Sequence, residues 1–364
     1  MIKIKSNIEL FRIVLFLMVI SIHVTTMGLV LKSGGMQQNS FPWYYASLMR
    51  ISVAPAVIGF ILISGFLMVN KEFNIKKYFK KLGAPFLIYA PALFLFDYST
   101  ILPIHGDIFK KIIFVFGDVI SLVGAFYHLW YIVVLVILAL FIPYINKLLL
   151  YCSRKQHLYL FLLLLFVSTI NPTTSLFLDK HLFTGLLGVS SRIFLFIAIY
   201  VVGAYFGKYE IKVKKQFFLL GYMIIPISIF VYCIFNSSKT TLNYVELSSL
   251  FIVIQGIFLF LFFYRLKFNS EIINYIGGLV YGGYIIHVFF ITFLQKFLPY
   301  TIFFGSKYYF LIDLSFIFLV AIVALAVEAL RVKLYFILTP FILNIADILR
   351  FKFKKIVMID KTTN

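Results

Sequence analysis

An arginine and a histidine share one face of the first apolar segment. Arg12 and His23 are eleven positions apart, and eleven helical steps of roughly 100° bring them within about 20° of each other. At about 1.5 Å per residue, they are separated by about 16–17 Å along the helix axis. This pair suits an extended ligand whose phosphates contact the arginine and whose reactive end contacts the histidine, a general base near neutral pH. Glu9 is within reach of the Arg12 guanidinium.

A structural interpretation of the same residues is that Arg12 anchors the helix at the membrane surface and His23 forms a hydrogen bond between helices. The surrounding chain is that of a membrane protein. It has 364 residues, of which 63% are hydrophobic and 13% charged, whereas soluble proteins are about 45–50% apolar and about 25% charged. Because an ionisable side chain inside a span is costly unless it faces a polar cavity, such residues are the first candidates for function.

Apolar runs long enough to cross a bilayer recur along the whole chain. About ten spans of roughly 20 residues are predicted, near 10–31, 51–69, 82–100, 128–145, 158–172, 186–206, 217–235, 244–264, 275–295 and 308–330. The stretch 112–126, which contains Asp118, is predicted to be peripheral or re-entrant. We therefore expect an all-α polytopic membrane protein, with one integral domain over residues 1–350 and a short basic cytoplasmic tail over 351–364.

The charge distribution sets the expected topology. Lys and Arg number 33 against 13 Asp and Glu, for a net charge of +20. The basic residues cluster between apolar runs, which predicts cytoplasmic N- and C-termini rather than a nucleic-acid partner. The richest loop, 71–81, either anchors the inner leaflet or binds cytosolic phosphates. Cys152 and Cys233 indicate neither a disulfide framework nor a metal site, and the first apolar run is too long for a cleavable signal peptide.

Short motifs follow one another along the chain. They are NIELFR at 7–12, RISVAP at 50–55, ISGFL at 63–67, YHLWY at 127–131, YVVG at 200–203 and YIIH at 284–287. In this order they resemble the acyltransferase 3 family of integral membrane acyltransferases over nearly the whole chain, and jointly they are specific. Two positions depart from the family pattern. Glu9 stands where Asp is usual, and 55–60 reads PAVIGF where a Pro-Leu-Phe-Phe run is usual.

The resemblance implies an enzyme that moves an acyl group, usually acetyl, from cytosolic acyl-CoA to a sugar hydroxyl at or beyond the outer face. It is closest to bacterial members that O-acetylate surface polysaccharides such as O-antigen or enterobacterial common antigen. This implies acetyl-CoA or another acyl-CoA as the donor substrate, with no permanently bound cofactor and no metal. The expected partners are the lipid bilayer and a polymeric or lipid-linked sugar acceptor. The expected location is the bacterial plasma (inner) membrane.

The resemblance also implies roles for individual residues. His23 is expected to act either as a general base or as a covalent acyl carrier, and Arg12 to bind the CoA phosphates. Further donor-binding candidates are Ser64, Lys77, Lys80 and Lys81. The supporting or acceptor-binding candidates are Glu9, Arg50, His128, Trp130, Tyr131 and His287.

Several of these candidates also have structural interpretations. Ser64, beside Gly65, fits a close helix contact, and His128 with its aromatic neighbours fits an interfacial belt. His287 fits a hydrogen-bonded core histidine or a residue that orients His23. An alternative function is an exporter or flippase for a polysaccharide or a lipid-linked sugar, although the sequence lacks the inverted repeat typical of many transporters.

Overall fold

The structure, a computed structural model, describes residues 6–30, 36–101, 128–178, 191–235, 249–298 and 300–360. All regular elements in these ranges are helices, and no β-strand occurs within them. Helices satisfy their own backbone hydrogen bonds, as a membrane interior requires. The predicted all-α polytopic fold is therefore confirmed. The stretch 112–126 lies outside the described residues.

The helices are numbered here in chain order. They are α1 Ser6–Val30, α2 Phe41–Val53, α3 Ala56–Met68, α4 Ile75–Ile101, α5 Trp130–Tyr151, α6 Arg154–Leu178, α7 Ser191–Lys208, α8 Lys215–Phe235, α9 Leu250–Tyr264, α10 Glu271–Phe297 and α11 Tyr309–Asp360. A short 3₁₀ turn, Tyr300–Phe303, lies between α10 and α11. Seven stretches in the described part of the chain are long and apolar enough to cross a membrane, and α7 and α9 contribute shorter apolar helices.

Every predicted span overlaps a helix, and two boundaries differ by ten residues or more. The second span, predicted from residue 51, begins at Phe41 and is divided into α2 and α3 next to Pro55. Proline has no backbone N–H and interrupts a helix, and the polar residues of 41–50 lower the hydropathy that marked the span. The last helix continues to Asp360 rather than ending near 330.

Glycines allow α3 and α7 to pack backbone to backbone. A side-chain carbon added at Gly65 would lie well inside van der Waals contact of the Tyr200 carbonyl oxygen, and one at Gly203 would do the same at the Leu62 carbonyl oxygen. Small residues permit this kind of close approach between membrane helices. The two glycines therefore hold α3 and α7 in close contact.

Replacing Gly203 by alanine should destabilise the protein, because the new methyl group meets backbone atoms that cannot rotate away. Overpacking of this kind costs roughly 1–3 kcal/mol. The measurement is the thermal unfolding midpoint of the purified protein in detergent. Gly83→Ala is the matched control, since a methyl group there meets nothing within 4 Å. Equal midpoints for the two variants would contradict the packing described for α3 and α7.

A buried carboxylate joins α1, α2 and α11 near the C-terminal end of α1. Asp313 is fully buried and accepts hydrogen bonds from Thr25 Oγ1 at 2.9 Å, Tyr45 Oη at 3.1 Å and Tyr309 Oη at 2.7 Å. Three hydroxyl donors compensate a buried carboxylate for lost hydration. The network fixes α1, only two residues beyond His23, against α2.

A second buried carboxylate attaches α4 to the helix bundle. Glu328 on α11 accepts two hydrogen bonds from Arg331, at 2.7 and 2.6 Å, and one from Tyr89 of α4 at 2.7 Å. Gly282 on α10 leaves the space that the carboxylate occupies. Since α4 also carries Lys77 and Lys81, this network helps to fix the position of those lysines.

Candidate active site

A polar cavity opens on the side of the membrane assigned to the cytoplasm. Its volume is about 1160 Å³, somewhat larger than a typical ligand pocket of roughly 300–1,000 Å³. Its walls come from α1, α3, α4, α7, α9 and α10 and from the segment between α3 and α4. The basic side chains in the wall are Arg12, Lys71, Lys77, Lys81 and Lys208. They outnumber the acidic ones, which are Glu9, Glu72 and Glu210, so the cavity favours an anionic ligand.

Arg12 is held at this cavity by its neighbour on α1. Its Nη1 donates a hydrogen bond to Glu9 Oε1 at 2.5 Å, the ion pair expected from their spacing. Glu9 is buried against Gly277 of α10, whereas the Arg12 side chain retains 27% of its surface. The carboxylate thus fixes the guanidinium and leaves part of it accessible to a ligand.

The structure separates the other predicted donor-binding residues into two groups. Lys77 and Lys81 line the cavity. Partial desolvation and the positive charge of Arg12 lower the pKa of Lys81, which an anionic ligand would counteract. Lys80 is exposed, as Lys77 and Lys81 are, but it is not part of the cavity wall. The hydroxyl of Ser64 donates to the Phe60 carbonyl oxygen of its own helix at 3.0 Å and also lies outside the wall.

Three histidines from distant parts of the sequence meet deeper in the bundle. The ring centroids of His23 and His287 are 5.2 Å apart, and those of His128 and His287 are 5.3 Å apart. His128 and His287 are buried, whereas His23 is only half-buried. His23 is therefore the least buried member of this histidine cluster. Within the described ranges, no three His, Cys, Asp or Glu side chains are arranged to hold a metal ion.

Backbone hydrogen bonds define the tautomers of the two buried rings. His287 Nδ1 lies 2.6 Å from the Tyr284 carbonyl oxygen, and His128 Nε2 lies 2.9 Å from that of Ile285. A carbonyl oxygen only accepts, so each of these nitrogens carries the hydrogen and, in the neutral ring, the opposite nitrogen is an acceptor. His287 Nε2 is buried and has no hydrogen-bond partner among the described residues. It can accept a hydrogen bond from a group beside it.

Tyrosines lie between the cavity and the histidine cluster. Tyr131 is buried, with its ring centroid 5.7 Å from that of Tyr284, whose backbone carbonyl binds His287. It is also close enough to Arg12 and Tyr78 in the cavity wall for electrostatic interaction. The two regions are therefore neighbours, and Tyr131 lies where they meet.

Trp130 faces a different direction from Tyr131. Its ring stacks on Phe196 of α7, with the centroids 6.0 Å apart. Arg50, near the end of α2, interacts electrostatically with His23. Of the supporting residues predicted from sequence, His128 and His287 gather with His23 and Arg50 interacts with it electrostatically. Tyr131 lies next to Tyr284, whereas Trp130 packs against a neighbouring helix.

A family model described as an acyltransferase domain, that of the acyltransferase 3 family, matches residues 5–330. The chain belongs to this family. The match includes the helices that form the cavity and the histidine cluster, and it confirms the resemblance carried by the sequence motifs. Neither the curated proteins nor the solved structures give a significant match. The family and the apolar helices together establish a multi-pass membrane protein with acyltransferase activity.

Sequence reasoning overlooked part of this acyltransferase site. Lys208, at the end of α7, lies in the cavity wall, and its ammonium also donates to the Leu149 carbonyl oxygen at 2.5 Å. In the sequence, Lys208 is recognisable only as a basic residue that follows an apolar run. The positive-inside rule already explains such a residue. The backbone hydrogen bonds that orient His128 and His287 had no sequence signal at all.

Proposed function

We propose that this acyltransferase moves an acyl group, most simply acetyl, from cytosolic acyl-CoA to a sugar hydroxyl of a bacterial surface polysaccharide or its lipid-linked precursor. It would act in the bacterial plasma membrane, with acyl-CoA as a substrate and no resident cofactor. One observation carries this proposal. A basic cavity on the cytoplasmic side includes Arg12 in its wall, and His23 lies on the same face of α1 about 16 Å deeper.

The cavity supports the donor half of the proposal. CoA is an extended molecule with several phosphate groups at one end and a thioester at the other. Arg12, Lys77 and Lys81 present basic groups, and a guanidinium suits paired phosphate oxygens. With the nucleotide end in the cavity, the pantetheine arm would extend past Tyr131 and bring the thioester to His23.

The histidine cluster supports the chemical half. His23 takes the proton of the acceptor hydroxyl while the hydroxyl oxygen forms a bond to the thioester carbonyl carbon. The carbon–sulfur bond then breaks, and the CoA thiolate takes the proton from His23, so an ester and free CoA are formed. His287 Nε2, buried without a partner in the described chain, can accept a hydrogen bond from the protonated His23 ring and hold its orientation.

The depth of His23 supports an acceptor that arrives from outside. His23 lies seven residues before the end of α1 at Val30, which is about 10 Å from the extracytoplasmic end of the helix. In the proposed arrangement, a sugar hydroxyl reaches His23 from the outer face. The bulky nucleotide stays in the cytoplasmic cavity. Such an arrangement would transfer an acyl group across the membrane without moving either substrate through it.

The test is transfer of radiolabelled acetyl from acetyl-CoA in inverted membrane vesicles from producing cells, which contain their own sugar acceptors. The label should enter the saccharide fraction only when the protein is present. Kinetics distinguish two forms of the mechanism. Direct transfer requires both substrates to be bound together, whereas a covalent acyl-histidine gives ping-pong kinetics. Failure of the intact protein to label any fraction would contradict the proposal.

A further inference from the structure

Arg50 differs from the other arginines whose side chains the structure describes. Its Nε and Nη1 are buried and have no hydrogen-bond partner among the described residues. The other arginines with described side chains each have a partner for the guanidinium: Arg12 with Glu9, Arg154 with Tyr205, Arg265 with Glu210 and Arg331 with Glu328. A guanidinium stays charged in a protein, and a buried charge without a partner is costly. A protein retains such a group where something else supplies the negative charge.

Each buried carboxylate in the described chain already has at least one charged or hydroxyl partner. Asp313 accepts hydrogen bonds from three hydroxyl groups, one of them on Tyr45 of the same helix as Arg50. Glu9 binds Arg12, and Glu328 binds Arg331. Arg50 interacts electrostatically with His23, which carries no negative charge. The anion that Arg50 meets is therefore expected to come from the reaction.

We propose that Arg50 stabilises the negatively charged oxygen that forms on the acyl group during transfer, an inference that rests on the proposed acyltransferase function. When the acceptor oxygen bonds to the carbonyl carbon, the carbonyl π electrons move onto the carbonyl oxygen and the hydroxyl proton moves to His23. The free N–H groups of Arg50 donate to this oxyanion. The electrons return as the carbon–sulfur bond breaks, and the thiolate leaves with the proton from His23.

The depth of Arg50 matches that of the proposed base. Arg50 is nine residues beyond Phe41, the outer end of α2, or about 13 Å along the helix, and His23 is about 10 Å from the outer end of α1. A permanent anion on a long sugar chain would be bound nearer to the membrane surface. Fixed donors in a water-poor site stabilise a developing oxyanion strongly, because they need no reorganisation as the charge appears.

The experiment compares Arg50→Met with the intact protein. Transfer of labelled acetyl from acetyl-CoA is measured in inverted vesicles, and thermal unfolding of the purified protein is measured in detergent. The maximal rate should fall roughly 100- to 1000-fold, with the KM for acetyl-CoA within about twofold. The unfolding midpoint should stay the same or rise, since removing a cation that has two buried N–H nitrogens, unpaired in the described chain, relieves a cost. Arg50→Lys should recover part of the rate, and Arg265→Gln, at a cytoplasmic ion pair, should leave the rate unchanged.

The other outcomes each overturn the assignment of Arg50. If Arg50→Met transfers acetyl at the full rate, Arg50 has no role in the reaction. A rate that recovers when more of the acceptor fraction is added means that Arg50 binds an anionic acceptor. A fall in the unfolding midpoint of both Arg50→Met and Arg50→Lys, in proportion to the lost rate, means that its role is structural. Absence of transfer by the intact protein would instead contradict the acyltransferase proposal itself.

Discussion

His23→Ala is expected to lower the maximal rate of acyl transfer by roughly 100- to 10,000-fold, the usual contribution of a general acid–base group. Affinity for acyl-CoA should change little, because the cavity that binds the nucleotide end lies about 16 Å away along α1. The variant should still fold, since His23 is half-buried and packing around it is carried by larger neighbours. The measurement is the initial rate of acetyl transfer in vesicles at saturating acetyl-CoA, together with the KM.

His157→Ala is a matched control for the loss of a membrane histidine. His157 is fully buried and its Nε2 donates to the Val201 carbonyl oxygen at 3.0 Å, between α6 and α7. It belongs to neither the cavity wall nor the histidine cluster. Its variant should lose some stability and keep its turnover per folded molecule. Equal turnover losses in His23→Ala and His157→Ala would remove the special role of His23.

Arg12→Ala is expected to weaken acyl-CoA binding by on the order of 10- to 100-fold, the value of one hydrogen bond between charged groups. The loss should appear mainly as a higher KM, because Arg12 lies at the phosphate end of the donor and far from the reacting carbon. Arg12→Lys should be intermediate, since an ammonium lacks the paired donors of a guanidinium. The measurement is donor affinity by titration of the purified protein with acetyl-CoA, at low and high salt.

The lysines of α4 provide an internal comparison for the same experiment. Lys77 and Lys81 line the cavity, whereas Lys80, which is also exposed and on the same helix, is not part of its wall. Removing Lys77 or Lys81 should weaken donor binding and reduce its dependence on salt. Removing Lys80 should have little effect. Unchanged acetyl-CoA affinity in Arg12→Ala would contradict the donor site, as would a loss in Lys80→Ala as large as in Lys81→Ala.

Features that depend on one helix were predictable from the sequence. The spans follow from runs of apolar residues, and the alignment of Arg12 and His23 follows from helical periodicity alone. The ion pair of Arg12 with Glu9 was equally predictable, because residues three positions apart are neighbours on one helix face. The sequence motifs then indicated the family, which the match over residues 5–330 confirmed.

Features that depend on contacts between helices were not predictable. Asp313 and Glu328 were recognisable as intramembrane charges, but their partners, such as Thr25 and Tyr89, lie hundreds of residues away in the chain. Hydropathy also placed the start of the second span ten residues late, because a segment containing Arg50 appears polar even when it is packed inside the bundle. The absence of a partner for Arg50 among the described residues depends on side chains from other helices, which no local sequence pattern encodes.

Acylation of a surface sugar through His23 is the main step of the proposed function. It is tested most directly by NMR of surface polysaccharide from three kinds of cell: with the intact gene, without it, and with His23→Ala at matched expression. The proposed function predicts O-acyl signals only with the intact protein, at a ring position that identifies the acceptor hydroxyl. A polymer that is unmodified in all three, but less abundant at the surface without the gene, would contradict it and favour export.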